Sequence, residues 1–109
     1  MSVAYLIEFT VRNDQRERFL RLISDVLTAM AQEANYRSAI FHEDPDDPRR
    51  FLLHEVWADH DDVVNVQIHR PYRREWHTAL PEILEGERRI EVWRPVVPSS
   101  SASEIASIS

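Results

Sequence analysis

The sequence predicts an α+β fold in which helices pack on one face of a small β-sheet, and three observations lead to it. The chain has 109 residues, which suits one domain with a real hydrophobic core. Segments rich in β-branched and aromatic residues alternate with segments whose apolar residues recur at helical spacing. The most apolar segment, residues 51–57, has the two-residue alternation of a central strand.

The segment 51–57 is predicted to be mostly apolar on both faces. One face carries Phe51, Leu53, Glu55 and Trp57, and the other carries Leu52, His54 and Val56. One layer of helices covers only one face of a sheet, so we expect the other face to meet a second copy of the chain. Two interpretations of His54 and Glu55 stand open: both are buried, hydrogen-bonded structural groups, or one of them lines a pocket.

The segments before residue 51 predict a strand, a helix and a second strand. Val3–Thr10 is rich in β-branched and aromatic residues and is predicted as the first strand. Asp14 and Glu17 form a capping-box pattern ahead of apolar residues at helical spacing, which predicts a helix over 14–32. We expect Asn35 to end this helix in the left-handed conformation.

A hairpin is predicted to join the second strand to the central strand. Residues 36–42 form the second strand, and residues 43–48 contain two prolines and four acids. Proline removes a backbone donor and aspartate side chains bond to nearby backbone groups, so this stretch is typical of a turn.

The C-terminal half predicts two more helices, a fourth strand and a tail. Asp59 is placed to cap a short helix that reaches about residue 67. Pro71 suits the first turn of a last helix, whose apolar stripe runs to about Gly86 and contains Pro81, which should kink it or end its regular part. Residues 90–97 are the fourth strand, and 98–109 are predicted to be a disordered, serine-rich tail.

The predicted order is therefore strand, helix, strand, strand, helix, helix, strand. That order is the split βαβ arrangement of a ferredoxin-like domain, here assigned to residues 1–97.

Composition excludes several classes of function. The net charge of −6 argues against nucleic acid and anionic membranes as partners, because both need clustered basic residues. The arginine doublets at 49–50, 73–74 and 88–89 are separated and flanked by acids, which is typical of a solvated surface. The chain has no cysteine and one glycine, which excludes thiolate chemistry and a glycine-rich phosphate loop. The N-terminal stretch lacks a basic region and a long apolar segment, so we expect a cytoplasmic protein.

Four stretches, taken in order, resemble the antibiotic biosynthesis monooxygenase family. They are Glu33-Ala34-Asn35-Tyr36 for the family's Glu-x-Gly before a strand, Asp47-Pro48 before the next strand, residues 51–57 for Phe-x-x-x-Glu-x-Trp, and Arg70-Pro71-Tyr72 for a small-Pro-His/Tyr step. The resemblance runs from Val3 to about Val97. The chain departs from the pattern at Asn35, where the family commonly has glycine, and at Gln67, where it commonly has histidine.

The resemblance implies a homodimer whose sheets face each other, forming a dimeric α+β barrel with a pocket between sheet and helices in each subunit. It also implies oxidation of quinols or polycyclic phenols by dioxygen, without flavin, haem or metal in some members. Other members degrade haem or isomerise small sugar-derived phosphates.

Oxygenation without a cofactor needs an electron-rich substrate, a base that ionises it and a dry pocket. The candidate bases are His54 and His77, with Glu55 next in line. The candidate substrate-binding residues are Trp57, Asn65, Gln67, Tyr72 and Trp76. Structural roles are the alternative for each histidine and for both tryptophans, since core packing on an apolar stripe accounts for Trp76 equally well. His60 and His69 have polar neighbours and are expected to face solvent.

The resulting hypothesis is a cofactor-independent monooxygenase that oxidises a quinol or polyphenolic aromatic substrate with dioxygen. It has no cofactor, no metal, and no nucleic-acid or membrane partner. Two alternatives stand beside it: a haem-binding or haem-degrading member, with His77 near the position of the family's haem ligand, and a non-enzymatic dimeric barrel that binds a small molecule. The segment Asp59-His60-Asp61-Asp62 offers metal-ligand types, but tetrahedral sites usually draw on distant elements.

Overall fold

A computed structural model describes residues 1–96 of the chain. Its elements are β1 (Val3–Thr10), α1 (Arg16–Met30), β2 (Tyr36–Asp44), β3 (Asp47–Trp57), α2 (His60–Asn65), α3 (Arg74–Ile83) and β4 (Arg89–Trp93). Two 3-10 turns, Gln67–His69 and Pro71–Arg73, connect α2 to α3. The predicted tail and the end of the predicted fourth strand at Val97 lie outside the described residues.

The four strands form one antiparallel sheet in the order β2-β3-β1-β4. The two strands in the middle, β1 and β3, are joined to each other by the crossover through α1 and the β2-β3 hairpin. This is the α+β ferredoxin-like fold that the sequence predicts, and the prediction is confirmed.

The hydrophobic core lies between the helices and one face of the sheet, called here the helix-side face. It takes alternate residues of the two central strands, which are Val3, Tyr5, Ile7 and Phe9 from β1 and Phe51, Leu53 and Trp57 from β3. Phe19 of α1 meets Phe9, Phe51 and Trp76 with ring centroids 5.1–5.7 Å apart. Apolar periodicity of two in the strands and of three to four in the helices therefore produces one contiguous core.

The opposite face of the sheet, called here the open face, has no described helix against it. Leu6, His54 and Ile40 lie side by side across β1, β3 and β2. Leu52 and Val56 share this face with His54, and both are half-buried by their neighbours in the sheet. The predicted division of residues 51–57 between two faces is thus confirmed.

Both predicted helix-capping features of α1 are wrong. The residue before the helix is Gln15, so Asp14 lies one position outside the cap, and no side chain makes a capping hydrogen bond there. Gln15 N–H bonds to the Arg12 carbonyl at 3.0 Å. The helix ends at Met30, and among residues 1–96 no residue other than glycine has a positive φ, so Asn35 is not left-handed. The Asn35 carbonyl instead accepts from Ala58 N–H at 2.8 Å, which joins the start of β2 to the end of β3.

The predicted hairpin and the predicted cap of α2 are confirmed. The strands close tightly around Pro45 and Asp46, where Asp46 N–H donates to Asp44 Oδ1 at 2.8 Å, so β3 begins four residues earlier than predicted. Asp59 accepts from Asp61 N–H at 3.3 Å at the start of α2. Helix α3 continues past Pro81 to Ile83, and β4 is shorter than predicted.

The C-terminal end of α3 is fixed to the end of β1, which sets one wall of the candidate site. Arg12 N–H donates to the Ile83 carbonyl at 2.8 Å, and Glu85 N–H donates to the Thr10 carbonyl at 2.9 Å.

None of the helices within residues 1–96 has the length and apolar character needed to cross a membrane, and the expected cytoplasmic location stays a prediction.

Candidate functional site

A pocket of about 810 Å³ opens between the C-terminal half of α3, the loop that follows it and the start of β4. Apolar side chains form most of its wall, namely Ile68, Leu80, Pro81, Leu84 and Ile90. Four charged residues, one histidine and the glycine complete the lining: Arg12, Glu85, Glu87, Arg88, His77 and Gly86. The pocket therefore combines apolar walls with a few polar groups, as small-molecule sites usually do.

His77 presents the titratable imidazole of this pocket. It lies on α3, half-buried, one residue after the core residue Trp76. Burial lowers the pKa of His77, and the positive charges of Arg88, Arg73 and His69 lower it further. The imidazole is consequently neutral at pH 7 and can accept a proton.

Arg73 carries positive charge into the interior, so the prediction that its doublet lies on a solvated surface is wrong for Arg73, whereas Arg88 is half-buried. Arg73 is only 7% exposed, and its guanidinium lies 5.8 Å from the Trp57 ring and 5.6 Å from the Tyr72 ring. Arg88 lines the pocket, where burial and Arg73 lower its pKa and Glu55 raises it. Both groups stay charged, since a guanidinium does not lose its proton in proteins.

Glu55 is the buried carboxyl group of the site. It is 5% exposed, and its Oε1 accepts a hydrogen bond from Trp57 Nε1 at 3.1 Å. Burial raises the pKa of Glu55, while Arg73, the Trp57 hydrogen bond and Arg88 oppose that rise. The inward direction of this carboxyl follows from the strand alternation that places Glu55 between Leu53 and Trp57.

Tyr5 and His60 form a second polar contact on the helix-side face. The Tyr5 hydroxyl lies 2.7 Å from His60 Nδ1. Burial, followed by the charges of Glu55 and Asp59, raises the pKa of Tyr5 to about 12, so the hydroxyl keeps its proton at neutral pH. The tautomer of His60 sets which of the two atoms donates the hydrogen bond. The contact ties the first turn of α2 to β1. His60 is exposed, as predicted, although its ring has this structural partner.

Comparison with known proteins places this chain in a family. The model of the antibiotic biosynthesis monooxygenase family matches residues 2–79. The chain belongs to that family. It is also similar to a protein of Pestalotiopsis microspora, provisionally named a monooxygenase, which is 32% identical over 93 residues, covering 84% of this chain and 78% of that protein.

Solved structures show the same fold at lower sequence identity. A Mycobacterium tuberculosis protein superposes with a TM-score of 0.82 at 21% identity, over 92% of this chain and all of the other. A provisionally named antibiotic biosynthesis monooxygenase of Nitrosomonas europaea gives a TM-score of 0.83 at 16% identity, over 91% of this chain and 94% of the other. At these identities the likeness establishes the fold alone.

In this antibiotic biosynthesis monooxygenase family chain, the two predicted bases lie on opposite sides of the sheet. His77 lines the pocket, whereas His54 is on the open face between Leu6 and Ile40. The structure therefore does not bring His54 and His77 together. Glu55 shares the helix-side face with His77 and is close enough to Arg73 and Arg88 for their charges to act on it.

The predicted substrate-binding residues divide into three groups. Trp57 and Trp76 are core residues at 0% and 3% exposure, and Trp76 packs edge-on against Phe9 with centroids 5.7 Å apart. Asn65 is exposed at the end of α2 and does not line the pocket.

Gln67 and Tyr72 are the third group, a buried and a half-buried polar side chain that are not among the residues lining the pocket. Gln67 is 2% exposed and donates from Nε2 to Asp62 Oδ2 at 3.0 Å, while its Oε1 has no partner among the described residues. The Tyr72 hydroxyl also lacks a hydrogen-bond partner there, although it lies beside Arg73, and burial raises its pKa.

Sequence reasoning missed Arg73, Arg88 and Tyr5. Arg73 precedes Trp76 by three residues and Leu80 by seven, so it continues the apolar stripe of α3, and that spacing was the available signal. Tyr5 lies on the inward face of β1 between Val3 and Ile7. Arg88 follows the last helix in an irregular segment, where no periodicity indicates direction. Within residues 1–96, no three His, Asp or Glu side chains converge to hold a metal ion.

Proposed function

We propose that this protein is a cofactor-independent monooxygenase that oxidises a quinol or polyphenolic aromatic substrate with dioxygen. One observation carries the proposal: the neutral imidazole of His77 and the guanidinium of Arg88 line the same apolar pocket. A base and a fixed positive charge are the two groups needed to convert a phenol into a phenolate.

His77 accepts the phenolic proton, and Arg88 stabilises the negative charge that develops on the substrate oxygen. The phenolate then supplies the electrons that reduce dioxygen. For a quinol with one unsubstituted ring carbon, one oxygen atom forms the new C–O bond and the other leaves as water, so quinol plus dioxygen gives hydroxyquinone plus water. Apolar walls at Leu80, Leu84 and Ile90 keep bulk water from the reacting atoms.

The pocket has the size for such a substrate. Its volume of about 810 Å³ lies within the range of roughly 300–1,000 Å³ typical of small-molecule sites. The walls are mainly aliphatic, which suits the faces of a fused aromatic ring system. These features support an aromatic substrate and do not select one compound.

We also propose that the protein is a homodimer joined through the open face. Leu6, Leu52 and Val56 form an apolar surface there, continued by Ile40 and Trp93, which are 54% and 57% exposed. Pairing two such faces buries on the order of 1,000 Å² or more, the scale of a stable interface. The pockets then lie on the outer, helix-covered sides, away from the interface.

The haem-binding alternative has one observation in its favour, which is that a neutral imidazole is the ligand form of histidine and His77 lies in the pocket. Titration of the protein with haem tests it directly. A Soret band shifted by histidine ligation, absent in His77→Gln, would favour haem binding over the proposed oxygenation.

Oxygen consumption with a panel of quinols and anthrones tests the proposed function. We expect uptake of one dioxygen per substrate without added flavin or metal, in the presence of a chelator. With ¹⁸O₂, the product should gain one labelled atom and water the other. Hydrogen peroxide in place of a labelled product would show an oxidase, and no uptake above the uncatalysed rate across the panel would contradict the proposal.

A further inference from the structure

The layer of helices stops short of the edge strand β4. Ile90 and Val92 lie opposite Ile7 and Tyr5 of β1 in the register of the sheet, so all four side chains point to the helix-side face. Ile7 and Tyr5 are 8% and 6% exposed, whereas Ile90 and Val92 are 48% and 56% exposed. The helices within residues 1–96 therefore cover β1 and leave the same face of β4 largely open to solvent.

The uncovered side chains of β4 are continuous with the pocket. Ile90 lines the pocket, and Val92 follows it on the same face of the strand, about 7 Å further along. Ile68, in the 3-10 turn after α2, also lines the pocket and is also exposed. We call Ile68, Ile90 and Val92 the aliphatic strip. The strip extends the apolar wall of the pocket past the last residue of β4 that lines it.

The remaining solvent-facing part of the pocket edge is charged. Arg12, Glu85 and Glu87 are exposed there, and Glu85 forms an ion pair with Arg49. A hydrocarbon group laid against these side chains would remove water from them without offering a hydrogen bond, which costs free energy. The aliphatic strip is the part of the edge where hydrocarbon can be buried without that cost.

The proposed dimer does not account for the strip. Scattered exposed aliphatic residues are common in proteins, but a contiguous set beside a pocket is typical of a binding groove. Ile90 and Val92 point to the helix-side face, whereas the proposed dimer pairs the open faces. The strip consequently remains available to a ligand that already occupies the pocket.

Arg94 limits the length of the strip. It follows Val92 by two residues and is exposed, so the run of aliphatic side chains along β4 ends at Val92. From the pocket wall at Ile90 to Val92 the strip is about 7 Å long, which suits a short hydrocarbon chain such as a pentyl group.

We infer that the aliphatic strip binds a hydrocarbon side chain of the aromatic substrate whose ring lies in the pocket. The inference deepens the proposed function and rests on it for the aromatic ring: the substrate is a quinol or phenol that carries a short alkyl or prenyl chain. Contact between this chain and Ile90 and Val92 removes apolar surface of both molecules from water. The bound chain also covers the pocket edge and keeps water from the ring.

Binding of two 1,4-naphthoquinones to the full chain at pH 7, measured by equilibrium dialysis, tests the inference. The 2-pentyl and 2-(4-hydroxybutyl) compounds have side chains of equal length that end in a methyl group and a hydroxyl group. Both are already oxidised, so the result does not depend on turnover. We expect the pentyl compound to bind at least about tenfold more tightly, because a hydroxyl group placed against the strip loses water without gaining a partner. Equal affinities, tighter binding of the hydroxybutyl compound, or no binding of either at 100 μM would overturn the inference.

Matched variants locate the effect. Val92→Asp puts a carboxylate at the end of the strip and should weaken binding of the pentyl compound about tenfold and of the hydroxybutyl compound less than about twofold. Val96→Asp puts the same charge at an exposed aliphatic position beyond β4 and should leave both affinities unchanged. A preference for the pentyl compound that survives in Val92→Asp, or falls equally in Val96→Asp, would show that the strip does not hold the chain.

Val92→Thr guards against a folding defect in Val92→Asp, because threonine keeps the β-branched shape and adds no charge. It should reduce the preference for the pentyl compound about threefold with an unchanged circular dichroism spectrum. An undiminished preference in Val92→Thr would contradict the inference.

Two other occupants of the strip would give different results, and either result would overturn the inference. If a second copy of the chain covers the strip, Val92→Asp converts a dimer into a monomer in sedimentation velocity. If the C-terminal segment covers it, replacement of both Ile105 and Ile108 by aspartate in the full chain raises the affinity for the pentyl compound about tenfold or more. We expect neither change.

The outcomes separate the strip from the proposed oxygenation. A preference for the pentyl compound without oxygen uptake by any quinol would support the strip and refute the oxygenase. Oxygen uptake with quinols that lack a side chain, together with equal binding of the two naphthoquinones, would support the oxygenase and refute the strip.

Discussion

Two glutamates each accept a hydrogen bond from the indole N–H of a tryptophan, one in the core and one at the surface. Glu55 accepts from Trp57 Nε1 at 3.1 Å in the core, and Glu91 accepts from Trp93 Nε1 at 3.0 Å on the exposed strand β4. Glu55 and Glu91 make the same type of hydrogen bond at nearly the same distance, so the main difference between the two carboxylates is how deeply each is buried. This pair isolates the cost of a charged carboxylate inside the sheet–helix layer.

Glu55→Gln should stabilise the fold at pH 7, because burial disfavours the charged carboxylate that the substitution removes. Burial raises the pKa of Glu55 above its ordinary 4.5, so the folded state keeps this proton to a higher pH than the unfolded state does. Stability contributed by this group is therefore full below pH 4.5 and is lost as pH rises. Urea unfolding from pH 4 to 8 measures it.

The control is Glu91→Gln, which should change the free energy of unfolding by no more than about 0.5 kcal/mol, as exposed substitutions do. If Glu55→Gln is destabilised at pH 7 by more than this control, the ionised carboxylate is stabilising and the account of Glu55 is wrong.

At the residue scale, the sequence allowed the direction of side chains in regular elements to be predicted and little else. Alternation correctly placed Glu55 and His54 on opposite faces of the strand, because a strand has a fixed period of two. It did not show which side of the sheet holds the pocket, and so both His54 and His77 stood as bases. Arg73 was missed because the arginine doublets were interpreted as solvent-exposed, although Arg73 lies three residues before Trp76, which is a helical spacing.

At the scale of elements, the capping pattern predicted the start of a helix correctly where the backbone N–H groups of its first turn had no other acceptor. Asp59 caps α2, since Asp61 N–H has no earlier carbonyl within helical reach. Asp14 does not cap α1, because the helix begins at Arg16 and its N-cap is Gln15. The chain just before it is held by the bridge between Val11 and Leu84, two residues far apart in sequence, which a local pattern does not reveal.

Asp59→Ala should lower the free energy of unfolding by about 1 kcal/mol, the usual effect of losing an N-cap. For a domain of this size that corresponds to a fall in Tm of roughly 4–8 °C, measured by calorimetry. Asp61→Ala, in the first turn of the same helix, is the control and should shift Tm by less than half as much. Equal shifts in both variants would mean that negative charge near the helix start matters and the cap does not.

At the scale of the whole molecule, helices within residues 1–96 cover one face of the sheet and leave the other open. Leu52→Glu introduces a charge at the centre of the open face, beside Glu8 on β1. We expect it to convert the proposed dimer into a monomer at micromolar concentration, as seen by sedimentation velocity. Val64→Glu, at a position 43% exposed and away from the open face, should leave the dimer intact.

A wild-type chain that sediments as a monomer at the same concentration would contradict the proposed dimer. Dissociation by Val64→Glu but not by Leu52→Glu would place the interface elsewhere on the molecule.

The central claim is that the chemistry belongs to the helix-side pocket and that His77 is its base. The most direct measurement is kcat/KM against pH for wild type, His77→Gln and His54→Gln, on the first substrate that shows oxygen uptake. We expect His77→Gln to lose about 10² to 10⁴ in kcat/KM and His54→Gln to stay within about threefold, a surface-scale change. Since burial and nearby positive charges lower the pKa of His77 below its ordinary 6.5, wild-type activity should fall only as pH drops through a midpoint below 6.5. Full activity in His77→Gln, or a large loss confined to His54→Gln, would contradict the claim.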